Sequence, residues 1–259
     1  MVSASAVFVG NGSLLISCAE AYRQAGHRIE AVATQNPEIL RWAESSGLRS
    51  VRMDESLRLE IPDMAFDYLF SVANLTVLPA DLIAQARKLA INFHDALLPA
   101  YAGLNATSWA LMAQEKQHGV TWHEMTSVVD AGRIVRQASF AISDEETALS
   151  LNAKCYEAGL ATFMAIVEDI SQGELTLTPQ AGSRRYYGRH RRPDALATLD
   201  FRRPAHELAS LVRALEFGHY PNSLCRPRIY TGRTTLAVNS TRVVEKFVVG
   251  AAWDGIERF

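Results

Sequence analysis

The apolar positions of this chain switch between two spacings. Ala6-Val7-Phe8-Val9 is an unbroken apolar run closed by Gly10-Asn11-Gly12, and it reads as a strand buried on both faces. Leu14, Leu15, Cys18, Ala19 and Tyr22 then recur at helical spacing as far as Gly26, and residues 29–33 return to a strand pattern. Strand, helix and strand in that order predict a right-handed crossover. The alternation goes on with a helix over 37–46, a strand over 66–72, a helix opened by proline over 79–87 and a buried strand over 89–93. Residues 107–114 read as a helix, 120–125 and 134–140 as strands, and 144–172 as a long helix carrying Leu151, Leu160, Phe163 and Ile166.

This βα alternation predicts an α/β fold, a Rossmann-like and mostly parallel twisted sheet flanked by helices. At Arg184 the composition shifts. Residues 184–193 are basic and aromatic, cut by Gly188 and Pro193, and read as a solvated linker rather than an RNA-binding patch. Beyond them come a further helix over 204–215 and short strands at 228–230, 235–238 and 243–244. We expect a main domain over 1–183, a linker over 184–195 and a small C-terminal α+β subdomain over 196–259. The stretch beyond Tyr220 is too short to hold a β core of its own, so that subdomain reads as truncated.

Composition narrows the class. With 48% hydrophobic and 21% charged residues, a disordered or collagen-like chain is excluded. Lys plus Arg number 26 against 28 Asp plus Glu, so the molecule as a whole does not attract polyanions, and nucleic acid is not an expected partner. The three cysteines, Cys18, Cys155 and Cys225, are widely spaced, which fits neither a disulfide framework nor a zinc site and points to a reducing, cytoplasmic setting. The apolar start lacks a basic leader and is cut by glycines, and no run is long enough to span a bilayer, so no membrane partner is expected.

The chemistry concentrates in Ile91-Asn92-Phe93-His94-Asp95-Ala96-Leu97-Leu98-Pro99, where an apolar strand delivers polar groups as it enters a loop. Asn92 and His94 are two residues apart, so a strand places both on one face. Carboxyl ends of strands form the ligand crevice of an open α/β sheet. A second piece, Val129-Asp130-Ala131-Gly132, offers a lone carboxylate among apolar neighbours. Brought beside His94, it would orient and charge the imidazole next to an amide donor. Taken singly, Asn92 reads as a loop cap, His94 as a histidine at a core edge and Asp130 as a turn residue. His118 and His123 read as structural or substrate-lining, Trp109 and Trp122 as core, and the cysteines as small buried hydrophobes. Gly10-Asn11-Gly12 lacks the third glycine of a dinucleotide fingerprint, so no nicotinamide site is expected.

Joined in order, Asn92-Phe93-His94, Leu97-Leu98-Pro99, Gly119-Val120-Thr121 and Asp130-Ala131-Gly132 resemble the pattern of the folate-dependent formyltransferases, with a methionyl-tRNA formyltransferase-like fold. The resemblance runs from about residue 66 to 174. Tyr101-Ala102-Gly103-Leu104-Asn105 and Arg213-Ala214-Leu215-Glu216-Phe217-Gly218 make the chain look most like formyltransferase domains of nonribosomal peptide and polyketide assembly lines. The resemblance implies 10-formyltetrahydrofolate as formyl donor, an amine as acceptor and no metal. It makes Asn92 the donor to the formyl oxygen, His94 the catalytic imidazole and Asp130 its partner and base. It lines a pterin pocket with Ser71, Val72, Ala73, Asn74 and Leu75 on one side and Met125 and Val128 on the other, and places Asn11 and Asn105 at the acceptor.

Relatives usually carry basic residues after the Leu-Leu-Pro loop, where this chain has Ala100 and Ala102. That departure favours a weakly charged acceptor, an aminoacyl group tethered to a carrier protein, with adjacent adenylation or carrier domains as partners. The alternatives are a free-standing sugar, amino-acid or methionyl-tRNA N-formyltransferase, and a non-catalytic folate-binding domain.

Overall fold

The structure, a computed structural model, describes residues 3–52, 65–244 and 247–252. Strands β1 (Ser5–Val9), β2 (Arg28–Thr34), β3 (Ser50–Arg52), β4 (Phe66–Ser71), β5 (Ala86–His94), β6 (Gln117–Glu124) and β7 (Ile134–Ala141) form one seven-stranded sheet in the order β3-β2-β1-β4-β5-β6-β7. Pairing is parallel from β3 through β5, and β6 runs antiparallel to β5. The order reverses direction between β1 and β4, the place where such sheets open a crevice at their carboxyl ends.

Burial explains the strand composition. All five residues of β1 are buried, as its unbroken apolar run predicts. Helix α1 (Leu14–Gln24) buries Leu14, Leu15, Cys18, Ala19 and Tyr22, the residues on its 3.6-period stripe. Phe8, Phe70 and Phe163 meet with ring centroids 5.1–6.1 Å apart, and Trp122 stacks into the same core 5.1 Å from Phe163. The indole N–H of Trp122 donates to Gly159 O and Thr162 Oγ1, so this buried polar atom is satisfied. Helix α2 (Pro37–Ser45) is capped by Asn36, whose side chain accepts from the Glu38 N–H.

The structure departs from the sequence reading after Pro79. Instead of a helix to Arg87, a single turn, α3 (Ala80–Ile83), is followed by β5 from Ala86 onward. Residues 84–90 have fair helix propensity, but pairing of Phe66 with Ala86 and of Tyr68 with Leu89 places them in the sheet, where tertiary pairing outweighs propensity. A short strand at Ser50–Arg52 also went unseen, because three residues carry no readable period.

Two compact units interleave along the chain. The first holds residues 1–102, 119–138 and 155–185, the second 103–118, 139–154 and 186–259. In the second unit, α4 (Ala106–Met112) lies in a buried cluster around Leu111, Ala148, Leu151 and Ala214. The long helix α5 (Ala148–Gln172) begins four residues later than expected. Helix α6 (Ala205–Arg213) contributes to a second cluster around Leu199, Leu208, Val212 and Val238. A three-stranded antiparallel sheet is built from β8 (Arg228–Tyr230), β9 (Thr235–Val244) and β10 (Phe247–Ala252). The two strands expected at 235–238 and 243–244 are one, β9. The basic segment is ordered here: Tyr187 stacks on Trp109 with centroids 4.9 Å apart, and the Arg191 guanidinium lies 4.7 Å from the Tyr187 ring. Among the described residues no helix is long and apolar enough to cross a membrane.

Candidate active site

Strand register assembles the polar residues. Ser71 of β4 is paired with Asn92 of β5, and Asn92 with His123 of β6; His94, two residues on, is paired with Thr121. The side chains of His94, His123 and Asp130 are all buried, at 5%, 2% and 8% exposure, so each polar atom there needs a partner. His94 Nδ1 lies 3.7 Å from Asp130 Oδ2 and 3.9 Å from Asp95 Oδ1, and His123 Nε2 lies 3.4 Å from Asp130 Oδ1. Asn92 Nδ2 is 3.1 Å from both Phe93 O and His123 Nε2.

These partners assign the ring protons. His94 Nε2 is 2.9 Å from the backbone carbonyl of Tyr101, which can only accept, so Nε2 carries a proton and Nδ1 is the basic nitrogen, turned toward Asp95 and Asp130. His123 Nδ1 is 2.9 Å from Glu124 O and carries the proton there, which leaves Nε2 to accept from the Asn92 amide. Both protons of the Asn92 amide are then engaged within the protein.

The loops that deliver these groups are anchored by the remaining pieces of the sequence pattern. Thr121 donates to Ala96 O at 2.6 Å and accepts from the Leu98 N–H and from Gln137 Nε2, tying the loop after His94 to β6. Gly119 faces the same loop: a Cβ there would lie 2.1 Å from Ala138 O and 2.5 Å from Leu97 Cδ2. Asp130 sits at φ +52, a left-handed conformation that aspartate tolerates better than most residues. A Cβ at Gly132 would lie 1.9 Å from Glu124 O, so only glycine permits the turn to close on β6. Gln180 Nε2 donates to the carbonyls of both Asp130 and Gly132, and Arg133 holds Glu124 in a two-pronged ion pair that keeps this carboxyl below its ordinary range.

A family model described as formyl transferase matches residues 5–167. The chain belongs to the formyl transferase family. Solved structures share the fold over most of this formyl transferase. WlaRD, described as a sugar 3N-formyl transferase in the presence of dTDP and 5-N-formyl-THF, has a TM-score of 0.73 at 16% identity, with 99% of this chain and 100% of that chain covered. An N-formyltransferase from Helicobacter canadensis, in complex with folinic acid and dTDP-3-aminofucose, gives 0.69 at 17%, covering 98% and 97%. Phosphoribosylglycinamide formyltransferase from Anaplasma phagocytophilum gives 0.61 at 24%, covering 72% of this chain and 99% of that one.

The other residues expected at the site of this formyl transferase have varied settings. Ser71 and Val72 are buried at the end of β4, Ala73 has φ +47, and Asn74 bonds within its own loop to Ser71 Oγ and to the backbone of Thr76. Leu75 and Val128 are exposed at 77% and 54%, while Met125 is half-buried and packs on the core around Leu69 and Ala90. Asn11 is occupied structurally: its Oδ1 accepts from Thr34 Oγ1 and the Gln35 N–H, and its carbonyl accepts from Asn36 Nδ2. Asn105, in the second unit, has φ +60 and accepts from Ser223 Oγ. Sequence reading left His123 as structural or substrate-lining and did not single out Gln180 or the Tyr101 carbonyl, which the structure brings against Asp130 and His94. The first sits at even spacing from Thr121 and was visible in the pattern. The other two act across long sequence separations or through the backbone, which no residue-type signal reports.

Proposed function

We propose that this formyl transferase moves the formyl group of 10-formyltetrahydrofolate to an amine. The observation that carries the reading is the cluster of half-buried Asn92 with buried His94, His123 and Asp130 at the carboxyl end of β5, where an amide donor and a basic imidazole nitrogen are carried two residues apart on one strand. The amine nitrogen attacks the formyl carbon, and the carbon–nitrogen bond to the folate breaks after a tetrahedral intermediate. Asn92 turns one amide proton from His123 or Phe93 O to the oxyanion, an interaction worth about a hundred- to a thousand-fold in rate. The proton lost by the amine passes to His94 Nδ1, beside Asp130, and from there to the folate nitrogen as it leaves. The exposed apolar side chains of Leu75, Val77 and Val128 supply surface that a pteridine and its aminobenzoyl extension would cover.

The acceptor we favour is an aminoacyl group carried on a protein-tethered arm, because Ala100 and Ala102 stand where cations for phosphate would be expected. The second reading is an amine on a nucleotide-linked sugar. It is favoured by likeness over nearly the whole chain to structures described as sugar N-formyltransferases, whereas the glycinamide enzyme matches only 72% of this chain.

The test is incubation with 10-formyltetrahydrofolate and either an aminoacyl carrier protein or an amino-sugar nucleotide, read by intact mass. Gain of a formyl group on the carrier-bound amine, reduced at least a hundredfold by Asn92→Ala, is the expected result. Gain on the sugar alone selects the second reading, and no gain on any amine removes both.

A further inference from the structure

Two carboxylates, not one, face the basic nitrogen of His94. We propose that Asp95 is a second positioning residue for the imidazole, sharing with Asp130 the charge that appears on His94 when it takes the proton of the acceptor amine. The inference rests on the formyl-transfer reading for its consequence in catalysis, but its geometry stands apart from it. The bond from Nε2 to the Tyr101 carbonyl fixes which nitrogen is basic, and the carbonyl is held there by a backbone at φ +56, a conformation that a tyrosine adopts only when its surroundings impose it. Nδ1 is therefore the only ring atom that can gain a proton, and it lies 3.7 Å from Asp130 Oδ2 and 3.9 Å from Asp95 Oδ1.

The two carboxylates differ in setting. Asp130 is 8% exposed and also approaches His123, whereas the side chain of Asp95 is 28% exposed and comes directly after His94 in sequence. Asp130 lies near both imidazoles, but His123 Nε2, which accepts from Asn92, offers it no proton. A proton gained by His94 Nδ1 meets Asp130 Oδ2 at 3.7 Å and Asp95 Oδ1 at 3.9 Å, and Asp95 supplies the second negative charge. Among the described residues, the charged and titratable groups facing the His94 ring are Asp95 beside it, Asp130 from the turn after β6, and His123 from β6, with the two imidazole centroids 6.5 Å apart. The Arg185 guanidinium lies farther out, 4.2 Å over the Tyr101 ring. The backbone carbonyl of Asp95 faces the Cys155 thiol at 3.9 Å.

In the transfer step, the acceptor nitrogen forms its bond to the formyl carbon and releases a proton to His94 Nδ1, leaving an imidazolium between two carboxylates. The folate nitrogen leaves with the electron pair of the broken bond and takes the proton from the His94 imidazolium, which returns to neutral. Asp95 neither gives nor takes a proton. It lowers the energy of the charged ring formed during transfer.

The experiment compares Asp95→Asn and Asp95→Glu with the unmodified protein by following the imidazole signals of His94 against pH in nitrogen-labelled protein, assigned with a His94→Gln variant. In Asp95→Asn the ring takes its second proton at a lower pH than in the unmodified protein, and in Asp95→Glu the change is largely restored. A His94 titration unchanged in Asp95→Asn overturns the proposal, whether or not formyl transfer is observed, because this readout needs no substrate. Should Asp95→Asn fail to fold, Asp95→Ser removes the same charge and is read in the same way. With an active acceptor in hand, Asp95→Asn lowers the plateau of kcat/KM roughly tenfold and moves its acid limb to lower pH. A fall in plateau with the limb in place would mean a packing role only and would count against the proposal.

Discussion

Asn92 shows how a residue can be legible as a type and still not legible as a state. Its place in Asn-x-His, two residues before a histidine on a strand, points to an amide beside the His94 imidazole, and the register of β5 with β6 sets a second imidazole, His123, against it. What the spacing could not tell is that the amide is already spent on His123 and Phe93 O, because those partners depend on a neighbouring strand and on a ring tautomer. Gly132 is the opposite case, a residue whose role is entirely steric. Glu124 O stands 1.9 Å from where a Cβ would be, and the same carbonyl accepts the His123 Nδ1 proton. Gly132→Ala must therefore push the turn off β6, carrying Asp130 away from both histidines. We expect a loss of about 2–3 kcal/mol in urea unfolding, as for an overpacked core position, together with a drop in kcat larger than any change in KM. A variant as stable as the parent would show that the turn can move without strain.

At the scale of elements, apolar periods marked the strands of the central sheet and the long helices, because buried parallel strands and amphipathic helices each impose a period on their residues. They failed at α3 and at β3, where a single turn or three residues carry too little pattern and pairing with a neighbouring strand decides the outcome. The start of α5 moved for another reason. Glu146, 4% exposed, does not join the helix but accepts from Ser143, Ser150 and Lys154 just ahead of it. Burial pushes its carboxyl up, yet the bonds from Lys154, Ser150 and Ser143 outweigh burial and hold it below the ordinary glutamate range. A carboxyl lowered in the folded state adds stability above its unfolded value and loses it as pH falls through the folded one. Glu146→Gln should thus cost about 2 kcal/mol at neutral pH, and the difference from the parent should shrink as acid titrates Glu146. Thermal unfolding monitored from neutral pH to pH 3 checks this. A penalty that is constant with pH would assign the loss to hydrogen-bond geometry and not to charge.

For the whole molecule, composition shift along the sequence and contact in space divide the chain differently. The change at Arg184 is real in the residue types, but the second compact unit also draws on residues 103–118 and 139–154, which lie within the expected main domain. Local composition cannot report this, since what binds these pieces is a set of apolar contacts between segments far apart in sequence. Ser210 donates to Leu111 O at 2.6 Å, and Ala214 joins Leu111, Ala148 and Leu151 in one buried cluster. A chain ending at Arg185 keeps every polar side chain of the candidate site, including Gln180, and loses α6 with Leu208, Ala209 and Val212. Leu111 and Leu151, both buried at 5% exposure or less, would then face water, at a cost of about 1.5–3 kcal/mol for each large apolar side chain uncovered. The truncated chain should therefore melt well below the full one, bind a hydrophobic dye before melting, and associate as its concentration rises. Calorimetry and dye fluorescence on the two proteins side by side decide the matter. Equal melting temperatures without dye binding would mean that residues 103–118 and 139–154 find enough burial without α6, so that the composition shift at 184 is also a boundary in folding energy.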